Sequence, residues 1–299
     1  MQLHFTTLDV FTNERFAGNP LAVVGGSEDL DAARMQAIAR EFGLPETVFV
    51  FPAADPAHTA HLHIFTPATE LPFAGHPTVG TAVVIALSRR NRKPQDLILE
   101  EQIGLVRCHV TPKAKDLAHA RFALPVLPRQ LGWKADPTAI AAALGISPAD
   151  IDSSWSAPEK WSAGIDMCMV PVKGAAALAS ASPDVSGWEE AFGQSGPRAV
   201  YVFCRQGDLP ATSFRARMFA PFLGVREDPA TGSAAAALAG VLTAHGGLGA
   251  GAHKVIIEQG REMGRPSTIE LELKIDGAKL TTASIGGDAV IVSQGTLKA

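Results

Sequence analysis

The sequence predicts an α+β fold of two pseudo-symmetric domains, each a mostly antiparallel curved sheet or barrel wrapped around a central apolar helix. Three observations predict it. First, two stretches read as copies of one device. His61-Leu-His-Ile-Phe-Thr-Pro67 leads to Gly75-His76-Pro-Thr-Val-Gly-Thr-Ala-Val-Val-Ile-Ala-Leu87, and Ser213-Phe-Arg-Ala-Arg-Met-Phe-Ala-Pro221 leads to Gly232-Ser233-Ala-Ala-Ala-Ala-Leu-Ala-Gly-Val-Leu242. In each, an alternating strand ends in Phe-x-Pro, a loop follows, and Gly plus a hydrogen-bonding residue opens a helix. Second, both helices are apolar nearly all round, so each must be surrounded by protein. Third, strands outnumber helices too heavily for an alternating β/α pattern and a doubly wound parallel sheet.

The elements follow in order. Leu3 to Phe11 is a strand, and Leu30 to Phe42 is a helix that is apolar at Ala33, Ala37, Ile38 and Phe42 and stopped by Gly43. Thr47 to Phe51 is a strand ahead of the first device, and Leu97–Glu100 with Leu105–Thr111 form a hairpin. In the second half come a strand at Ala120–Leu124 and a helix at Pro137–Leu144, with Asp136 as N-cap and Pro137 at its first position. Met167–Val172 and Ala199–Cys204 are strands before the second device. Lys254–Glu258, Thr268–Ile275, Leu280–Ser284 and Ala289–Ser293 complete the sheet, while 153–164 and 182–196 read as loops. The expected domains are 1–117, with 286–299 as a completing strand, and 118–285.

Composition narrows the function. A chain of 299 residues with 46% apolar and 19% charged residues is a globular protein with room for two cores. A net charge of −4, no basic run and 6% aromatics argue against nucleic-acid binding. No run reaches the roughly 18 apolar residues of a membrane helix. The first residues lack a basic segment followed by an apolar core, so a cytoplasmic protein is expected. Cys108, Cys168 and Cys204 are scattered and odd in number, which argues against a disulfide framework or a zinc knuckle. No phosphate-binding or dinucleotide-binding glycine motif occurs, and no cofactor is expected.

The two helix starts are the candidate chemistry. A buried N-terminus offers unpaired N–H groups and positive dipole character, which suit an anion. Glu46, between Gly43-Leu-Pro45 and an apolar strand, is a candidate proton carrier, or else a solvated acid at a turn. His76 follows Gly75 at the first helix start and is a ligand donor, a cap or a core histidine. Asp228-Pro-Ala-Thr231-Gly232-Ser233 leads into the second helix, where Gly232 allows close approach and Ser233 either caps or binds. Asn19 in Gly-Asn-Pro binds ligand through its amide or simply builds a turn. His58, His61 and His63 cluster on a strand. His61 and His63 share a face, but without a nearby acid or thiol a surface face is favoured over a metal site. Ser233, His76 and Asp228 together invite a serine-hydrolase reading, which the missing Gly-x-Ser-x-Gly elbow weakens.

The motifs become specific in combination. Phe11-Thr-Asn-x-x-Phe-x-Gly-Asn-Pro-Leu-Ala-Val-Val24, Glu46-Thr47, Phe73-Ala-Gly-His-Pro-Thr-Val-Gly-Thr-Ala82, Glu227-Asp-Pro-Ala-Thr-Gly-Ser-Ala234 and Met263-Gly-Arg-Pro-Ser267 resemble the PhzF family of phenazine-biosynthesis-like isomerases. The resemblance spans nearly the whole chain. It implies a diaminopimelate-epimerase-like fold with an active site in the cleft between two domains, and a homodimer. The family's proton-shuttling carboxylate maps onto Glu46, and its substrate-holding histidine, aspartate and serine onto His76, Asp228 and Ser233. Pro45 departs from the small polar residue expected before the glutamate. Two-cysteine racemases of the same fold would carry their thiols at Ala74 and Thr231, which are not cysteines here.

The expected function is therefore a cofactor-independent isomerase that relocates a proton on a small carboxylate-bearing metabolite. Glu46 acts as base and then acid, and Asn19, Gly75, His76, Asp228, Thr231, Gly232 and Ser233 bind substrate, with no metal. The alternatives are a non-catalytic ligand-binding protein of the same fold and, behind it, the serine hydrolase.

Overall fold

The structure is a computed structural model that describes residues 1–89, 91–193, 196, 197, 199–205 and 213–299. The chain divides into two compact units. Unit 1 holds 1–125, 264–268 and 284–299, and unit 2 holds 126–263 and 269–283.

Unit 1 contains β1 (Gln2–Val10), β2 (Asn19–Gly25), α1 (Ala32–Phe42), β3 (Glu46–Phe51), β4 (Ala60–Phe65), β5 (Glu70–Leu71), α2 (Gly75–Ser88), β6 (Gln95–Glu101), β7 (Gly104–Pro112) and β8 (Leu117–Ala123). β1 pairs antiparallel with β2, β2 parallel with β3, β3 antiparallel with β4, and β4 parallel with β6. β6, β7 and β8 continue antiparallel. Residues 284–298 of the final strand, Lys279–Lys298, then pair with β8 on one side and β1 on the other. The ring closes with eight strands and no open edge. Inside it lies α2, in contact with β1, β2, β3, β7 and β8, and buried from Gly75 through Val83. α1 packs outside. Asp31 caps it through the Arg34 N–H at 2.7 Å, and Gly43 ends it in the left-handed region at φ 61°.

Unit 2 contains β9 (Arg129–Leu131), α3 (Pro137–Ala143), β10 (Glu159–Ser162), β11 (Asp166–Pro171), α4 (Ala175–Ser180), α5 (Trp188–Phe192), β12 (Ala199–Arg205), β13 (Ser213–Ala220), β14 (Val225–Asp228), α6 (Gly232–His245), β15 (Gly251–Gln259) and β16 (Ser267–Asp276), whose first residues belong to unit 1; β17 is the final strand, Lys279–Lys298. β9, β10 and β11 are antiparallel neighbours, β11 and β12 parallel, β12 and β13 antiparallel, and β13 and β15 parallel. α6 touches β9, β10 and β11, and is buried from Gly232 through Leu242.

The two units repeat one topology. In each, an antiparallel pair leads by helix to a parallel third strand, a fourth returns antiparallel, a short strand folds back on it, a buried 14-residue helix follows, and a fifth long strand lies parallel to the fourth. The duplicated device is thus part of a duplicated fold.

Several sequence expectations are corrected. Asn19, read as a ligand-binding amide or as part of a Gly-Asn-Pro turn, opens a strand, β2. Within 153–164, read as loop, lies β10, and within 182–196 lies α5; Gln194 and Ser195 of that segment are outside the described residues. The two strands expected at 280–284 and 289–293 are one continuous strand. Small residues set the helix-to-wall distance. A Cβ on Gly240 of α6 would sit 2.3 Å from the Trp161 ring, and one on Gly80 of α2 would sit 2.5 Å from a Leu21 methyl.

Gly240→Ala should therefore lower unfolding free energy by about 1–3 kcal/mol in urea titrations, through overpacking against a rigid ring. In unit 2, buried Arg217 grips Glu227 through two 2.8 Å contacts and donates to the carbonyls of Leu178, Ala179 and Ala181. Arg217→Met should cost roughly 3 kcal/mol because Glu227 is left without its counter-charge, and replacing Glu227 by Leu in the same chain should restore part of that loss.

Candidate active site

The first cluster of candidate residues is built on three structural joints of unit 1. Asn19 opens β2 and Glu46 opens β3. These strands run parallel, with Leu21 opposite Glu46, so both residues lie at the same end of the barrel. His76 is the second residue of α2 and is 5% exposed. Its Nε2 lies 3.2 Å from Glu46 Oε2, and its Nδ1 lies 3.2 Å from Asn19 Nδ2. Burial drives the imidazole pKa down to about 3, so the ring is neutral. With the Asn19 amide donating to Nδ1, the one ring hydrogen sits on Nε2, facing the Glu46 carboxylate. The Glu46 side chain is mostly buried, at 16% exposure. It is thus a sequestered acid in reach of a neutral donor, and not a solvated turn residue.

Asn19 is held from behind. Arg265 pairs with Asp9 Oδ1 at 2.5 Å and donates to the carbonyls of Gly18 and Ala17, while Asp9 Oδ2 accepts the Phe16 N–H at 2.7 Å. Gly18 adopts φ 63°, and a Cβ there would lie 2.4 Å from the Val10 carbonyl oxygen, so only glycine fits this turn. The conformation of 16–18 delivers Asn19 to β2 with its side chain fully buried.

The start of α2 is capped by Ala74, and no side chain among the described residues fills the capping role. Pro77 has no N–H to satisfy. The N–H groups of Gly75 and His76 remain available to an anionic group. Below them, Thr78 Oγ1 lies 2.8 Å from the Ala74 carbonyl oxygen and 2.8 Å from Glu101 Oε1.

The second cluster, in unit 2, repeats this plan with different residues. Thr231 occupies the N-cap position of α6, again without a side-chain cap among the described residues. Ser233 is the second helical residue, so the capping reading for it is corrected; it is buried at the helix start beside Gly232. Asp228 ends β14, and its Oδ2 accepts a short hydrogen bond from Thr231 Oγ1. The Arg217–Glu227 pair immobilises β14 one residue upstream. Gln259 then ties the loop together. Its Nε2 donates to the Asp228 carbonyl at 2.7 Å and to Thr231 Oγ1 at 3.0 Å, and its Oε1 accepts from the Thr231 N–H at 3.2 Å and from the Tyr201 hydroxyl at 3.3 Å. Burial first, and then the Asp228 charge, push the Tyr201 phenol up, so it stays a donor.

The histidine cluster is corrected in one respect, because acids do face it. Glu100 contacts His58 Nδ1 at 2.7 Å and His61 Nδ1 at 3.3 Å, and Glu70 contacts His63 Nδ1 at 2.7 Å. The Ala54 N–H, His58 and the Asp55 N–H hold the Glu100 carboxyl down to about 2. Each ring spends a nitrogen on a carboxylate, and among the described residues no group of three or more His, Cys, Asp or Glu is arranged to hold a metal. The cysteines lie buried on β7, β11 and β12, away from both helix caps, and burial pushes all three thiols up. Neither cap supplies the thiol that a two-base inversion requires.

Sequence reasoning missed Arg265, Asp9, Arg217, Glu101 and Gln259. Arg265 and Glu227 did fall inside quoted motifs, which was the available signal for the two ion pairs.

Comparison with known proteins agrees with this architecture. The family model described as phenazine biosynthesis-like protein matches residues 8–295. An uncharacterised isomerase of Mesorhizobium japonicum is 46% identical, over 98% of each chain. The trans-2,3-dihydro-3-hydroxyanthranilate isomerase of Pseudomonas chlororaphis is 34% identical over 98% of this chain and 99% of its own. The crystal structure of a PhzF-family phenazine biosynthesis protein of Bacillus anthracis superposes with TM-score 0.89 over 100% of both chains at 22% identity, a likeness of fold. A closed eight-stranded barrel around an apolar helix, a second copy of its topology and a family match over nearly the whole chain lead to one conclusion: this protein is an isomerase belonging to the phenazine biosynthesis-like, or PhzF, family.

Proposed function

We propose that the protein relocates a proton on a small carboxylate-bearing substrate, without a cofactor, using Glu46 as general base and then as general acid. The observation that carries this reading is the buried 3.2 Å approach of Glu46 Oε2 to the Nε2 of a neutral His76. A neutral imidazole 3.2 Å away sets no positive charge beside the carboxylate, so Glu46 keeps its capacity to take a proton. Once protonated, the same side chain returns the proton to a different carbon. A positioned acid–base group of this kind contributes on the order of 10²–10⁴-fold in rate.

The remaining residues take binding roles in this proposal. The N–H groups of Gly75 and His76, and the N–H and hydroxyl groups of Gly232 and Ser233, hold the substrate carboxylate and the negative charge that develops as the proton leaves carbon. Such a helix end is worth up to about 2 kcal/mol toward an anion. Asp228, oriented by Thr231, accepts from an amino or hydroxyl group of the substrate. Asn19 acts on the substrate through the imidazole that it orients. A serine hydrolase is disfavoured, because both ring nitrogens of His76 already face Asn19 and Glu46 and neither is left for a serine. A purely ligand-binding protein would have no use for a sequestered carboxylate beside a neutral donor.

Relatives named for trans-2,3-dihydro-3-hydroxyanthranilate make that compound the first member of a substrate panel of small unsaturated and amino acids. In deuterated water, the wild-type protein should place deuterium on a substrate carbon, read by mass spectrometry. Glu46→Gln should lower that exchange by at least 10²-fold while ligand affinity changes only a few-fold. Exchange at the wild-type rate in this variant would remove Glu46 from the mechanism. Independently of substrate, nitrogen-15 NMR should find His76 as the neutral Nε2–H tautomer throughout pH 5–8, with no titration until well below pH 5.

A further inference from the structure

The repeated topology allows residues of the two units to be equated by register. Aligning Phe65-Thr-Pro67 with Phe219-Ala-Pro221 equates Leu62 with Ala216. Ala216 of β13 lies opposite Gln259 in the parallel β13–β15 ladder. In the matching β4–β6 ladder His61 lies opposite Glu100, and one further step sets Leu62 opposite Glu101. Glu101 and Gln259 are therefore structural equivalents, each the last residue of the strand that follows a buried helix. Both are buried, at 5% and 1% exposure. Both reach back to the cap of that helix, Glu101 through Thr78 to Ala74 and Gln259 directly to Thr231.

We propose that Glu101 and Gln259 are matched positioning residues, one in each half, that lock the peptide leading into α2 and α6 so that its first-turn N–H groups point at the substrate. Glu101 performs this role as an uncharged group, like the amide that it matches. The Thr78 hydroxyl has one hydrogen and two partners at 2.8 Å. One hydrogen cannot fully serve both the Ala74 carbonyl and a Glu101 carboxylate, whereas a protonated Glu101 brings a second hydrogen to the pair. Glu101 Oε2 is buried without a hydrogen-bond partner among the described residues, a poor place for half of a carboxylate charge. Burial outweighs the opposing Thr78 hydrogen bond and raises the carboxyl pKa to about 8. Cys108 on β7 is neutral because burial first, and then the Glu101 charge, hold its thiol up. A neutral Glu101 also leaves the positive end of α2 uncancelled for a ligand anion.

The pointing of N–H groups at substrate rests on the isomerase reading; the locking of the helix starts does not. Hydrogen–deuterium exchange separates the two. Glu101→Leu, Gln259→Leu and the milder Thr78→Val should each speed amide exchange in the first turn of the adjacent helix (75–79 or 232–236) by about tenfold or more, with exchange on β7 and β12 unchanged. Glu101→Gln should retain wild-type protection. Because the native pKa exceeds the unfolded one, wild-type stability should fall relative to Glu101→Gln as pH rises from about 4.5 to about 8, read as a widening Tm difference that levels off above pH 8. Wild-type exchange in Thr78→Val and in whichever Leu variants fold, or a Tm difference independent of pH, would overturn the assignment. With a turned-over substrate, Gln259→Leu should raise KM several-fold more than it lowers kcat. The opposite split would show that Gln259 does not act through binding, whatever the exchange data say about the loop.

Discussion

The constraint on which the molecule depends is the burial of a helix beginning. A helix that is apolar on every side can be placed only inside protein, and its first N–H groups go in with it. At Ala74 and Thr231 those groups receive no side-chain cap among the described residues. An interior donor without a fixed partner is costly, and it persists where something else makes use of it. The closed ring around α2 makes that arrangement rigid, because every wall strand of the ring is paired on both sides.

Charge is used sparingly to support this arrangement. Two enclosed ion pairs, Arg265–Asp9 and Arg217–Glu227, each fix one segment of irregular backbone. The first holds the turn that delivers Asn19, and the second holds the short strand that ends in Asp228. In both, the arginine also donates to main-chain carbonyls, so the guanidinium fork anchors a bend as well as an acid. The side chains expected to meet substrate therefore sit at the ends of strands and helices whose neighbouring loops cannot drift. The cost of enclosing these charges is local and lies beside the candidate chemistry.

Much of this was legible because burial leaves a periodic trace. The two apolar helices, the strand–loop–helix repeat, and the caps at Asp136 and Gly43 are written in adjacent residues. Strand β2 was not. Buried and paired parallel to β3, it reads as the unbroken run Leu-Ala-Val-Val after a Gly-Asn-Pro turn signal, without the alternation that marks a half-exposed strand. β10 and α5, at four and five residues, are too short to show a period at all. Glu46 and His76 stood out singly, but their meeting did not, because thirty positions of chain separate them and only the barrel's curvature brings them together. Glu101 and Gln259 were invisible for the same reason. Each is an ordinary strand-end residue until the register of a parallel ladder is known.

The long final strand has a consequence for how the molecule is made. Residues 284–298 are the stave between β8 and β1, and Gln2 finds its partner only at Lys298. A nascent chain therefore carries β1 and β8 with bare edges until residues 284–298 have been made. Such distant pairing delays closure and leaves hydrogen-bonding edges open to other chains meanwhile. Losing the pairing of residues 289–298 would open the barrel along the whole of β1, far from both helix starts in sequence, and expose the lining of the core that holds α2.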